Sequence, residues 1–288
     1  MAKRSNETGL SLSVVFPSFN EEENIGPSVV RCRGVLREHF DDFEIIVVDD
    51  GSADDTPALA DELAATYAEV RVIHHGRNRK LGRTLRTGFA AAEKELVFYT
   101  DADLPIDFRD IPRGVELLAR DGVDAVLGYR LDKPDNLWRT ILSATYNRLV
   151  NALFGLGVRD VNFSYKLFPK AVIDRLELRS EGSFIDAELI ARAKAAGVRL
   201  AEMGVHYFPR RAGRSKLAGA GVIAKILLEM NSFWWEVWRK RNRGVGEEGA
   251  SRGSGSAAQV RTKGAAAKTA AYPPGEPPPK GPDGGGKA

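Results

Sequence analysis

Apolar residues fall in short blocks along the first part of the chain, and stretches of helical character separate them. "LSVVFPS" (residues 12–18) predicts a strand closing at Pro17. Glu21 to Phe40 predicts a helix, with Asn20 as its N-cap and acidic residues in its first turn. "FEIIVVDD" is a continuous apolar run, the pattern of a strand covered on both faces. Thr56-Pro57 opens a second helix, with Pro at the first helical position. "VRVIHH" is a third strand, Leu81 to Glu93 a third helix, "ELVFYT" a fourth strand and "VDAVLG" a fifth. Strand–helix alternation with short connections predicts an α/β fold with a mainly parallel sheet. In such sheets ligands bind beyond the carboxyl ends of the strands.

That rule selects the polar clusters of interest. Pro17-Ser18-Phe19-Asn20-Glu21, Asp49-Asp50-Gly51-Ser52 and Asp101-Ala102-Asp103 each follow an apolar strand directly. Asp-Gly and Asp-Asp pairs are also ordinary turn chemistry. Three of them at successive strand ends would converge on one rim. In an extended strand Asp101 and Asp103 would face the same side. Two close carboxylates repel unless a cation lies between them, and a hard divalent ion accepts both while gripping phosphate. The alternative is two solvated turn acids. Asp49 and Asp50 could accept hydrogen bonds from a base or ribose. Arg79, Lys80 and Arg83 open the following helix and supply positive charge, with Gly82 and Gly88 allowing close approach. No P-loop and no G-x-G-x-x-G after the first strand is present, so neither a kinase-like NTPase nor a dinucleotide site is supported.

Composition narrows the classes. The 288 residues carry 42 Lys+Arg and 39 Asp+Glu, net +3. Residues 243–288 hold seven of the basic and four of the acidic groups, so residues 1–242 are formally neutral. A neutral body argues against nucleic-acid binding. The single cysteine, Cys32, rules out an intrachain disulfide and fits a reducing compartment. His39, His74, His75 and His206 lack metal-ligand spacing, which argues against zinc. The N-terminus has no apolar signal core, and no apolar run reaches the roughly 18 residues of a membrane span. Residues 243–288, rich in Gly, Ala, Pro and Lys, are expected to stay disordered.

In their order and spacing, "VVFPSFNEEENI", "IIVVDDGSADDT" and "YTDADLP" resemble the inverting family 2 glycosyltransferases of GT-A fold. Further on, "GYR", "RTILSATYNRLVNALFGLGVRDVNFSYKLF", "EGSFIDAELIARAKAAG" and "RRAGRSKL" resemble the branch of dolichol-phosphate mannose and glucose synthases and polyprenyl-phosphate glycosyltransferases. The resemblance spans residues 10–217 and implies a GT-A catalytic domain there, with a Rossmann-like sheet flanked by helices. It implies that Asp101 and Asp103 hold Mg²⁺ or Mn²⁺ on a nucleotide-sugar diphosphate. Pro17, Asn20, Glu21, Asp49 and Asp50 would line the nucleotide pocket, with Gly51 and Ser52 shaping its turn. Arg130, Arg139, Ser143, Arg211, Ser215 and Lys216 would meet the acceptor phosphate or the donor diphosphate. Arg210, Arg211, Arg214 and Lys216 crowd near glycines, as a phosphate-gripping loop would. One departure is Pro105: the mannose synthases of this branch carry Gln there, so a third metal ligand is not named.

The resemblance implies transfer of a sugar (from GDP-mannose or a UDP-hexose) to a polyprenyl or dolichyl phosphate. Such a phosphate is largely ionised at neutral pH, since its second pKa is about 6, and needs no strong base. An alcohol acceptor would need one, and Asp186 or Glu188 in "FIDAEL" is the candidate. The other reading of both is a charge pair at a helix N-terminus. Alternatives are a family 2 enzyme acting on a sugar, diacylglycerol or protein, and a non-catalytic nucleotide-sugar-binding scaffold. In "GAGVIAKILLEMNSFWWEVWRKRNR", Ile223, Leu227, Met230, Trp234 and Val237 recur at helical spacing, before Arg239, Lys240 and Arg241. Residues 218–242 therefore predict an amphipathic helix suited to an anionic membrane surface, or one packed on the core. The enzyme would be cytoplasmic and peripheral, or would rely on a membrane-protein partner.

Overall fold

The computed structural model describes residues 9–103, 106–120, 122–131, 137–206, 229–233 and 235, with side chains of residues 137–143 outside that description. The elements run β1 (Leu12–Ser18), α1 (Ile25–His39), β2 (Phe43–Asp49), α2 (Thr56–Thr66), β3 (Val70–His74), α3 (Leu81–Ala91), β4 (Leu96–Tyr99), α4 (Asp110–Leu118), β5 (Ala125–Arg130), α5 (Leu137–Phe154), β6 (Lys166–Pro169), α6 (Lys170–Ile173), α7 (Ile185–Ala195) and β7 (Leu200–Val205). The seven strands form one sheet in the order β3-β2-β1-β4-β6-β5-β7. β3, β2, β1 and β4 are mutually parallel, and β5 and β7 are parallel. β6 runs antiparallel between β4 and β5.

Alternation along the strands divides the core in two. Leu12, Val14, Phe16, Ile45, Val47 and Phe98 point to one face, where Val29 and Leu36 of α1, Ala60 and Leu63 of α2, and Ile111 and Val115 of α4 cover them. Val15, Ile46, Val48, Val97 and Tyr99 point to the other, beneath Leu85 and Phe89 of α3, Val150 of α5, Val172 and Ile173 of α6, and Leu189 and Ile190 of α7. Covering on both faces is why these strands read as unbroken apolar runs.

One expectation needs correction. The first helix begins at Ile25 rather than Glu21, and Asn24, not Asn20, occupies its N-cap position. Asn20 instead has φ of 52°, the left-handed region Asn tolerates, and turns the chain off β1. The fifth predicted strand does not lie beside the fourth. β6 separates them, and its four residues are too few to show a period in the sequence.

Of the expected 218–242 helix, residues 229–233 and 235 are described and helical. Met230 and Phe233 are buried in the core, and Phe233 packs on Phe154 and Phe184 at ring distances of 5.2 and 5.6 Å. Trp235 is exposed. The tail 243–288 lies outside the described residues.

Candidate active site

Three turns leave the carboxyl edge of the sheet side by side, because β2, β1 and β4 are neighbours in it. Ser18 is in register with Asp49, and Asp50 N–H donates to Ser18 O at 2.8 Å. The first two turns lock together. Asn20 N–H donates to Ser52 Oγ (2.9 Å), Ala53 N–H to Asn20 Oδ1 (2.9 Å) and Glu21 N–H to Thr56 Oγ1 (2.7 Å). Gly51 sits at φ of 72° against the Arg77 backbone, where a Cβ would collide. Pro17 is half-buried in β1.

Asp49 and Asp50 are both buried, and both carboxylates already have internal partners. Asp49 Oδ1 accepts the Ser52 N–H (3.0 Å), closing the turn, and Oδ2 lies 3.1 Å from His74 Nδ1. Asp50 Oδ1 accepts from Arg79 N–H (2.8 Å) and lies 2.8 Å from His75 Nδ1, while Oδ2 accepts Lys80 N–H (2.8 Å). Asp50 thus fixes the loop that starts α3 with Lys80 at φ of 69°. Arg77, Arg79, Lys80 and Arg83 are exposed around that helix N-terminus, with Glu181 3.5 Å from Lys80 Nζ and 3.2 Å from Arg83.

The third turn differs from the expected extended pair. β4 ends at Tyr99, so Asp101, Ala102 and Asp103 lie beyond the strand, with a turn at Ala102 and Asp103. The Ser28 hydroxyl of α1 donates to Ala102 O and anchors it. Asp103 is buried and Asp101 half-buried. Carboxylates are the hard oxygen donors that Mg²⁺ and Mn²⁺ take, with phosphate oxygens able to complete the shell. Among the described residues no set of three or more His, Cys, Asp or Glu forms a metal cluster. Pro105 lies outside the described residues.

Asp186 and Glu188 stand in the first turn of α7, but neither is at its surface. Asp186 Oδ1 accepts from the Tyr99 hydroxyl (2.5 Å) and lies 2.8 Å from Lys166 Nζ, which also donates to Phe163 O (2.7 Å). Burial, then the charges of Asp186 and Asp101, push the Tyr99 hydroxyl well above its ordinary pKa, so it is a donor here. Glu188 accepts the amides of Arg179 (3.0 Å) and Ser180 (2.7 Å) and pairs with Arg192 (2.7 Å). It is a buried latch for the loop before α7.

Arg130 ends β5 and is held by Asp160 through Nε (2.7 Å) and a second nitrogen (3.2 Å), above the Phe163 ring. Arg139 and Ser143 lie on α5 by backbone, and their side chains are outside the described set. Arg211, Ser215 and Lys216 lie outside the described residues. Sequence reasoning missed Asp160, Lys166, His74 and His75 as partners of site residues. Asp160 and Lys166 stood within "RDVNFSYKLF", but only the fold brings them to Arg130 and Asp186.

A family model for glycosyl transferase family 2 matches residues 13–176. The glycosyltransferase AglD of Haloferax volcanii is 32% identical over 240 residues, 80% of this chain, which spans only 38% of that longer protein. The dodecaprenyl-phosphate galacturonate synthase of Rhizobium johnstonii is 30% identical over 82% of this chain and 70% of its own length. The polyprenol monophosphomannose synthase of Mycolicibacterium smegmatis is 30% identical over 73% and 82%. Among solved structures, glucosyl-3-phosphoglycerate synthase from Mycobacterium tuberculosis with Mn²⁺, UDP and phosphoglyceric acid superposes at a TM-score of 0.60 and 26% identity, over 77% of this chain and 79% of that one.

Proposed function

The chain belongs to glycosyl transferase family 2, and from that premise we propose that it moves a sugar from a nucleotide-sugar to a polyprenyl phosphate, with inversion. Two of the similar proteins are named for products of this kind, a dodecaprenyl-phosphate galacturonate and a polyprenol monophosphomannose. The structural relative bound to Mn²⁺ and UDP supports a divalent ion and a nucleotide donor.

The observation that carries the acceptor assignment is the state of Asp186. The Tyr99 hydroxyl and the Lys166 ammonium both meet the same oxygen, and the group is buried. Taking a proton there would leave the Lys166 cation buried beside a neutral acid, an expensive arrangement. Glu188 is equally committed. An acceptor that arrives already ionised, as a phosphate does, needs neither.

In this reading the 49–52 turn and Asn20 frame the nucleotide, and Asp101 and Asp103 would hold Mg²⁺ or Mn²⁺, which supplies positive charge at the departing diphosphate. The exposed Lys80 and Arg83 at the start of α3 add charge on the same side. Arg130, locked flat by Asp160, presents its guanidinium to the acceptor phosphate. No described helix is long and apolar enough to cross a membrane. Access to the lipid from the cytoplasmic face would then come through the Trp-rich, basic segment of residues 218–242.

The test incubates the protein with polyprenyl phosphate, Mg²⁺ or Mn²⁺ and a panel of nucleotide-sugars, and reads glycolipid by mass. Asp103→Asn and Arg130→Ala should each abolish most product. Asp186→Asn should keep kcat within about tenfold, whereas loss of a general base costs about 10²–10⁴-fold. Transfer to a soluble alcohol without lipid, or full activity in Asp103→Asn, would defeat the proposal.

A further inference from the structure

His74 ends β3 and His75 follows it, and their rings turn to different helices, His74 to α2 and His75 to α3. Each meets one of the two carboxylates at the end of β2. His75 Nδ1 lies 2.8 Å from Asp50 Oδ1 and its Nε2 lies 3.0 Å from Thr87 Oγ1 on α3. A carboxylate only accepts, so Nδ1 offers its N–H to Asp50, while the threonine hydroxyl at Nε2 can donate or accept. His74 differs. Its Nδ1 lies 3.1 Å from Asp49 Oδ2 and its Nε2 3.0 Å from Asp61 Oδ1. Both ring nitrogens face acceptors that cannot donate, and only the imidazolium has two N–H groups to give.

We propose that His74 is a positioning residue for the donor site, an imidazolium that bridges Asp49 of β2 to Asp61 of α2 and thereby sets the turn on which the nucleotide lies. The inference rests on the donor-site reading of residues 49–52. The mechanical link is short. The oxygen of Asp49 that does not meet His74 accepts the Ser52 amide, and the Ser52 hydroxyl accepts the Asn20 amide. Releasing His74 frees Asp49 to rotate, and both turns lose their common peg.

The charged groups facing the ring are Asp49 from β2 and Asp61 from α2. Hydrogen bonds to Asp61 and then Asp49 raise the His74 pKa above its usual 6.5, against a smaller opposing effect of burial. The sign follows. The bridge is complete at low pH and is lost as pH rises through the raised value, so nucleotide affinity falls on the alkaline side.

The experiment measures the Kd of UDP and GDP with Mn²⁺ between pH 6 and 9 (a ~three-unit window centred above the free-imidazole value), alongside imidazole ¹⁵N shifts of the free protein. His74 should show two protonated nitrogens at neutral pH. The Kd should rise about tenfold across the His74 titration, and by reciprocity bound nucleotide should raise the His74 midpoint by about one unit. Asp61→Asn, which removes one charge from the ring and touches no part of the donor site, should move both midpoints to lower pH together. The nucleotide's own phosphate ionisation would not move in that variant, which separates the two causes. A neutral His74 at pH 6, or a Kd that ignores the His74 titration, overturns the proposal while leaving the donor site standing. Failure of both nucleotides to bind at every pH removes the donor-site reading and the proposal with it.

Discussion

At the scale of residues, the site is built from carboxylates whose neighbours have already chosen their roles. Asp50, Glu188 and Asp186 are all buried, and each is held differently: by loop amides and a histidine, by loop amides and an arginine, and by a lysine and a tyrosine. The Lys166–Asp186 pair should therefore be costly to halve. Lys166→Met should lower unfolding free energy by about 3–5 kcal/mol in chemical denaturation at neutral pH, because it strands a buried carboxylate. Adding Asp186→Asn to that variant should recover part of the loss, since the uncompensated charge is gone. The sequence showed which carboxylates gather at the sheet edge, since each follows an apolar run. Their partners were not legible, because His74 is 25 positions from Asp49 and Lys166 is 20 from Asp186, distances only the fold can close. The end of β4 before Asp101 was also hidden, since an acidic pair spaced by one residue suits a strand and a turn equally.

At the scale of elements, α3 is the most tightly seated helix near the site. Gly82 N–H donates to Glu181 O at 2.8 Å, and a Cβ on Gly82 would fall inside the Ser180 carbonyl. Gly88, further along the same helix, lies against Val15 of β1. The strap of residues 178–182 is held in turn by Glu188, by Glu229 on Gly182 N–H (2.8 Å) and by Arg86 on Leu178 O (3.1 Å). Gly82→Ala should cost about 1–3 kcal/mol through overpacking and should raise the donor KM, because the strap and the basic start of α3 must separate. Gly76→Ala, whose Cβ would meet open space, should do neither. Thermal denaturation and donor titration on the same preparations check both. Helix positions were foreseeable from period, whereas this close approach was visible only as two glycines in a basic helix.

At the scale of the whole molecule, the sheet has two halves. Residues 12–99 supply four parallel strands and both candidate nucleotide turns, while β5 and β7 carry Arg130 and the far side of the rim. Variants should sort accordingly: Asn20→Ala should raise the donor KM with the acceptor KM little changed, and Asp160→Asn, which unlocks Arg130, should do the reverse in steady-state assays. β6 joins the halves, pairing with β4 on one side and β5 on the other. That arrangement fixes an order of events during synthesis. β4, with all four residues buried in the finished protein, is complete some 70 residues before its second neighbour exists. Until Lys166 to Pro169 leave the ribosome, the nascent chain carries an unpaired apolar strand edge, the kind that recruits other chains. Fragments ending near residue 160 should aggregate on release, and fragments that include β6 but stop before β7 should do so less, which makes the arrival of one four-residue strand the moment at which the growing chain becomes safe from its own kind.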